Sequence, residues 1–120
     1  MKVRAIRGAV QVDADDRQAI LEGTTELVMA VMSRNGLTTD DVISVIFSAT
    51  PDLSAEFPAL AARKLGFGEV PLLCCTEIAV PSAMPRVVRL MMHVETELSR
   101  AAIQHVYLRG AAALRLDIAQ

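Results

Sequence analysis

Four apolar stretches of this chain each hold one polar residue that fits its neighbours poorly: Arg7 in AIRGA, Glu77 in CTEIA, Arg89 in VVRLMM and Tyr107 in HVYLRG. An ionised side chain in an apolar setting is costly unless it is exposed, paired or held there for a purpose. If all four point into one space, two guanidiniums face one carboxylate, and an anionic ligand would neutralise the surplus. The planar fork of Arg matches a carboxylate with two parallel hydrogen bonds. Arg63 and Arg115 could add to such a site, so the residues describe a pocket for a small carboxylic acid. The alternative is that these Arg side chains lie on the wet face of a sheet, with Glu77 in a salt bridge to a neighbouring strand.

Other chemistries fit worse. His93 and His105 lack the spacing of metal ligands. The turn GFGEV has no phosphate-loop pattern, and Ser33, Ser48, Ser54, Ser82 and Ser99 lack the flanks of a nucleophile elbow. Cys74 and Cys75 are adjacent, which suits neither an ordinary disulfide nor a C-x-x-C site, and they are expected to be free thiols. Met29, Met32, Met84, Met91 and Met92 read as core or interface packing.

The composition narrows the partners. At 120 residues the chain is expected to be a single domain, 1–120. A net charge of −2, with the 12 basic residues scattered, argues against nucleic acid or an acidic membrane as partner. The chain is 52% hydrophobic but only 3% aromatic, and its mean hydropathy of +0.38 is high for a small domain. Subunit interfaces that bury part of the surface would account for this. Pro71, Glu77, Pro81 and Pro85 interrupt the most apolar region too early for a membrane span. The N-terminal stretch, with Arg4 and Arg7, is no signal peptide, so a cytoplasmic protein is expected.

The elements that must position these residues follow from periodicity. Residues 2–12 read as a strand, and 14–34 as a long helix with Asp13 as its N-cap, Asp15 and Asp16 in its first turn and Gly36 as its stop. A strand over 43–49 precedes a short helix bounded by Pro58 and Gly66. Strands follow over 70–77, 86–94 and 104–109, the last with an extension to 115 in view. The expected fold is α+β, a five-stranded mixed sheet packed on one long and one short helix. Two helices cover one face of such a sheet, and self-association would cover the other. Strand parity puts Arg7 with Val3 and Ala5, and Arg89 with Val87 and Met91.

Several motifs occur in order along nearly the whole chain: IRGA at 6–9, SATPDL at 48–53, FPA at 57–59, RLMM at 89–92 and HVYL at 105–108. Together they resemble the AroH class of monofunctional chorismate mutases. The resemblance implies a homotrimeric pseudo-α/β-barrel with active sites in clefts between subunits. It implies a Claisen rearrangement of chorismate to prephenate, on the route to phenylalanine and tyrosine, which needs no cofactor and no metal. Arg7 and Tyr107 match residues that hold a substrate carboxylate, and Arg89 the residue that reaches the ether oxygen of the breaking bond. Glu77 matches a carboxylate at the ring hydroxyl, with Cys74 beside it. Phe57 and Arg63 match residues supplied by the neighbouring subunit, while Leu114 and Arg115 match the C-terminal lip of the site. On this footing Arg89, Glu77 and Arg7 are expected to carry catalysis.

The chain also departs from the pattern. Leu60 stands where some relatives have Lys, and Leu73, among the expected substrate contacts, where they have Thr. VPSAMPR replaces a glycine-richer turn, and Leu116 stands where a Pro is common. Two rival readings remain at the level of sequence. One is a non-catalytic trimeric domain of similar shape that binds a small carboxylate, for which Arg7 and Tyr107 would serve equally well. The other is a trimerisation module whose Arg residues are solvated.

Overall fold

In the computed structural model, which describes residues 1–114, the chain forms one mixed sheet with two helices on one face. The elements in order are β1 (Lys2–Gln11), α1 (Arg17–Arg34), β2 (Val42–Ala49), α2 (Ala59–Lys64), β3 (Leu72–Thr76), β4 (Val87–Thr96) and β5 (Val106–Leu108). Across the sheet the strand order is β3-β2-β4-β1-β5. The central β4 runs antiparallel to β1 and β2, and the outer strands β3 and β5 lie parallel to β2 and β1. No helix among the described residues is long and apolar enough to cross a membrane.

Alternation along the strands divides the sheet into two unlike faces. Ile6 and Val10 of β1, Val45 and Phe47 of β2, and Val88, Leu90, Met92 and Val94 of β4 point toward the helices. There they meet Ile20, Leu27, Val28 and Val31 of α1 in one core cluster. The opposite face carries Val3, Ile46 and Leu73, all large, apolar and exposed. A half-covered sheet of this kind leaves an apolar surface that association can bury.

The long helix begins later than expected, and the reason is a division of labour among the aspartates. Asp16, not Asp13, is the N-cap, with its carboxylate accepting the Ala19 N–H at 2.7 Å. Asp15 turns outward and accepts hydrogen bonds from Ser54 N, Ser54 Oγ and Ala55 N, tying the start of α1 to the loop after β2. These bonds, led by the one from the Ser54 backbone, hold the Asp15 carboxyl below its ordinary range. Both expected glycine stops are present: Gly36 after α1 and Gly66 after α2 take φ values of 61° and 100°, which strain a residue with a Cβ.

The last strand is shorter than expected. It ends at Leu108, and Arg109, at φ 55°, turns the chain into a 3-10 helix, Arg109–Ala113, instead of an extension of β5. An ion pair from Arg109 Nη2 to Glu26 of α1, at 2.9 Å, anchors that turn, and the carboxylate holds the guanidinium above its ordinary range.

Candidate active site

The sheet register brings three of the four ill-fitting residues, Arg7, Arg89 and Tyr107, to the open face. Arg7 lies opposite Met91, and Arg89 lies between Ala9 of β1 and Ser48 of β2. Tyr107 is paired with Ala9 from the other side, so Ser48, Arg89, Ala9 and Tyr107 form one row across four strands. Because paired residues in adjacent strands share a face, the row and Arg7 look the same way. Arg7, Ser48, Arg89 and Tyr107, together with Ile46 and Met91, line a depression of 270 Å³.

Glu77 joins the group from just beyond β3. Its backbone N–H donates to Ala49 O at 2.9 Å, continuing the β2–β3 ladder past its last pair. The carboxylate then accepts Ser48 Oγ at 2.7 Å and Arg89 Nε at 3.1 Å to each of its oxygens. The Glu77 side chain is only 18% exposed, so the partners that satisfy it matter. Arg89 engages it through Nε alone. No described residue takes a hydrogen bond from its two terminal nitrogens, which leaves the outer fork of the guanidinium available to an anion.

The expected lip residue Leu114 belongs to the same end of the face. It packs with Ala9, Val87, Ala111, Met84 and Tyr107 in a small second cluster. Arg115 lies outside the described residues.

The remaining expected residues are elsewhere. Phe57 is exposed and lines a separate cavity of 250 Å³ with Cys74, Cys75 and Thr76. Arg63 sits in the last turn of α2, exposed, on the helix layer. Cys74 pairs in register with Phe47 and packs against the core on the helix side, whereas Cys75 pairs with Ser48. The hydrogen-bonding neighbours of the Glu77 carboxylate are therefore Ser48 and Arg89, and Cys74 keeps company with Phe57. Leu73 is exposed on the open face, in register with Ile46. Both thiols are free.

Ser48 is the residue that sequence reasoning passed over, because it was weighed only as a nucleophile. The alternation in VIFSA, with Val45 and Phe47 turned inward, already put Ser48 on the face of the polar residues.

The sequence pattern of the family Chorismate mutase type I matches residues 3–118. The chain belongs to this family. It is 42% identical over 117 residues to chorismate mutase AroH of Thermus thermophilus, covering 97% of this chain and 96% of that one. With chorismate mutase AroH of Bacillus subtilis (strain 168) it shares 40% identity over 119 residues, 98% of this chain and 94% of the relative. A solved chorismate mutase from Clostridium thermocellum superposes with a TM-score of 0.90 at 44% identity, covering 92% of this chain and 98% of that one. Against this background, the depression holding Arg7, Arg89 and Tyr107 is the candidate active site of a chorismate mutase.

Proposed function

We propose that this chorismate mutase converts chorismate to prephenate by a cofactor-free Claisen rearrangement, in a cleft built from two copies of the chain. The observation that carries the reading is the Arg89 guanidinium, tethered to Glu77 through Nε with its terminal fork directed to no group among the described residues. The rearrangement is unimolecular and moves no proton, so the protein has two tasks. It must hold a flexible dianion in its compact reactive conformer, and it must stabilise the charge that develops as the ether bond breaks.

Arg7 and Tyr107 take a carboxylate of the substrate, which fixes one end of the molecule. Arg89 donates to the ether oxygen, which gains negative charge in the transition state, so this contact strengthens as the reaction proceeds. Glu77 holds Arg89 in place and receives the ring hydroxyl. An enzyme at the low end of rate enhancements, about a million-fold, needs about 8 kcal/mol of differential stabilisation. One oxyanion donor supplies about 2.7 to 4 kcal/mol of this, and holding the compact reactive conformer must supply the rest.

The separation of Phe57, Arg63 and Cys74 from the Arg89 row supports a shared cleft in a homotrimer. One subunit would offer Arg7, Arg89 and Tyr107, and its neighbour Phe57 and Arg63. Exposed Val3, Ile46 and Leu73 on the open face supply an apolar surface for such an assembly. A cytoplasmic setting belongs to the same reading.

The test mixes two variants, Arg89→Ala and Arg63→Ala, each assayed alone by the loss of chorismate's diene absorbance, and then unfolded and refolded together. If each site draws on two subunits of a cyclic trimer, random mixing restores about one site in four with both residues intact. Activity should then rise well above that of either variant. Mixed assemblies no more active than the separate variants would rule out the shared cleft.

A further inference from the structure

We propose that His105 is a positioning residue for Arg7, setting the backbone of β1 where the guanidinium must meet the substrate. The inference rests on the carboxylate-binding role proposed for Arg7. Its basis is a gap in the sheet ladder. β5 pairs with β1 only at Gly8, Ala9 and Val10, so Arg7 stands one residue before the pairing begins. Extending that parallel register one step would set Arg7 beside His105 and aim its N–H at the Gln104 carbonyl.

That carbonyl is engaged elsewhere. Asn35, at the C-cap of α1 and nearly buried, donates Nδ2 to Gln104 O at 2.9 Å and accepts Gln104 N at 2.8 Å. A second bond from Asn35 Nδ2 to Val31 O holds the amide to its own helix. The Arg7 N–H, deprived of its ladder partner, donates instead to His105 Nδ1 at 2.9 Å. A side chain thus stands in for a strand carbonyl at the residue whose guanidinium lines the candidate active site. Since backbone N–H groups demand an acceptor when shielded from water, the imidazole decides how β1 sits at this point.

The same contact dictates the form of the ring. Nδ1 can accept only if it carries no proton, which puts the single proton of the neutral ring on Nε2. An imidazolium could not accept, and it would add positive charge to a cavity of 420 Å³ that, among the described residues, is already lined by Arg4, Arg7, His93 and Arg100. The His105 ring therefore works as a neutral acceptor.

The experiment compares steady-state kinetics on chorismate for wild type, His105→Leu, His105→Asn and Arg7→Ala, each matched for circular dichroism and sedimentation. Leu removes the acceptor, whereas Asn places Oδ1 near the position of Nδ1. Misplacing a group that binds ground and transition states alike raises KM more than it lowers kcat. Loss of one backbone partner at the site is expected to raise KM about tenfold in His105→Leu, with kcat within about twofold. His105→Asn should recover most of that loss. A wild-type KM in His105→Leu, or an Asn variant as poor as Leu, overturns the inference. If Arg7→Ala itself keeps a wild-type KM, the role of Arg7 fails, and the result is distinguishable from failure at His105. Should His105→Leu not fold, nitrogen NMR of the wild type decides. An unprotonated Nδ1 coupled to the Arg7 amide proton supports the inference, and a proton on Nδ1 defeats it.

Discussion

Replacing Arg89 by alanine removes two things at once, and their sizes separate them. The first is the proposed donor at the ether oxygen, worth about 2.7 to 4 kcal/mol for an oxyanion contact, or about 100- to 1,000-fold in rate. The second is the partner of Glu77, whose carboxylate loses both 3.1 Å bonds from Nε and, among the described residues, keeps only the one from Ser48 Oγ at 2.7 Å. Stripping one member from a buried pair costs about 3 to 5 kcal/mol. The Arg89 side chain is 38% exposed, so water re-solvates much of what is left, and the stability loss should be nearer about 1 kcal/mol. Such a loss lowers the unfolding midpoint by only about 4 °C.

The variant should thus fold and associate at room temperature while kcat and kcat/KM for chorismate fall together by about 100-fold or more. Arg89→Lys sharpens the test. In the proposed mechanism Arg divides its work, with Nε on Glu77 and the terminal fork on the substrate. A single ammonium on a flexible stem cannot do both, so Lys should recover less than a tenth of the lost activity, an estimate of about 1.4 kcal/mol of missing stabilisation. Folded Arg89→Ala with kcat within tenfold of wild type would refute the assigned role. Near-normal turnover in Arg89→Lys would refute the division of labour.

Two further predictions concern the scaffold. Gly23 is buried in α1, and a Cβ there would lie 2.6 Å from Val12 Cγ1, itself fully enclosed. Ala normally gains about 1 kcal/mol over Gly inside a helix, but overpacking costs about 1 to 3 kcal/mol, so Gly23→Ala should lower the urea midpoint, and a raised midpoint would contradict the clash. Asp15 titrates below its ordinary value of 3.8 because Ser54 and Ala55 donate to it. A lowered folded-state value gives stability that is complete above the unfolded value and is lost as pH falls through the folded one. Thermal unfolding followed from neutral pH into acid should therefore show the wild type losing stability below about pH 4. Asp15→Asn should start lower and lack this part of the decline, and parallel curves would show that the loop contact carries no linkage.

Much of the fold was legible because it is local. Alternation located all five strands, Gly36 and Gly66 ended the helices, and parity correctly grouped Arg7 with Val3 and Ala5 and Arg89 with Val87 and Met91. The departures arose where a residue had two competing partners. Asp13, Asp15 and Asp16 are equivalent as caps in a sequence, and only the position of Ser54, 39 residues away from Asp15 along the chain, sends Asp15 to the loop and leaves Asp16 to cap. Likewise β5 stops short because Arg109 finds Glu26 on α1, a contact with a sequence separation of 83.

The sequence by itself determined which residues are chemically out of place, since a carboxylate or guanidinium among Val, Leu and Met is conspicuous whatever surrounds it. Its ordered motifs also marked the chain as resembling a chorismate mutase. Only the tertiary structure decided how those residues meet. The strand order places β4 between β1 and β2, which sets Ser48 and Arg89 side by side and lets Glu77 reach both. It also turned Cys74 to the helix-side core and gave the Gln104 carbonyl to Asn35, leaving the Arg7 N–H to His105. The physical reason is that side-chain type and local periodicity are properties of neighbours along the chain. Hydrogen-bond partners are chosen in a three-dimensional competition that no short segment contains.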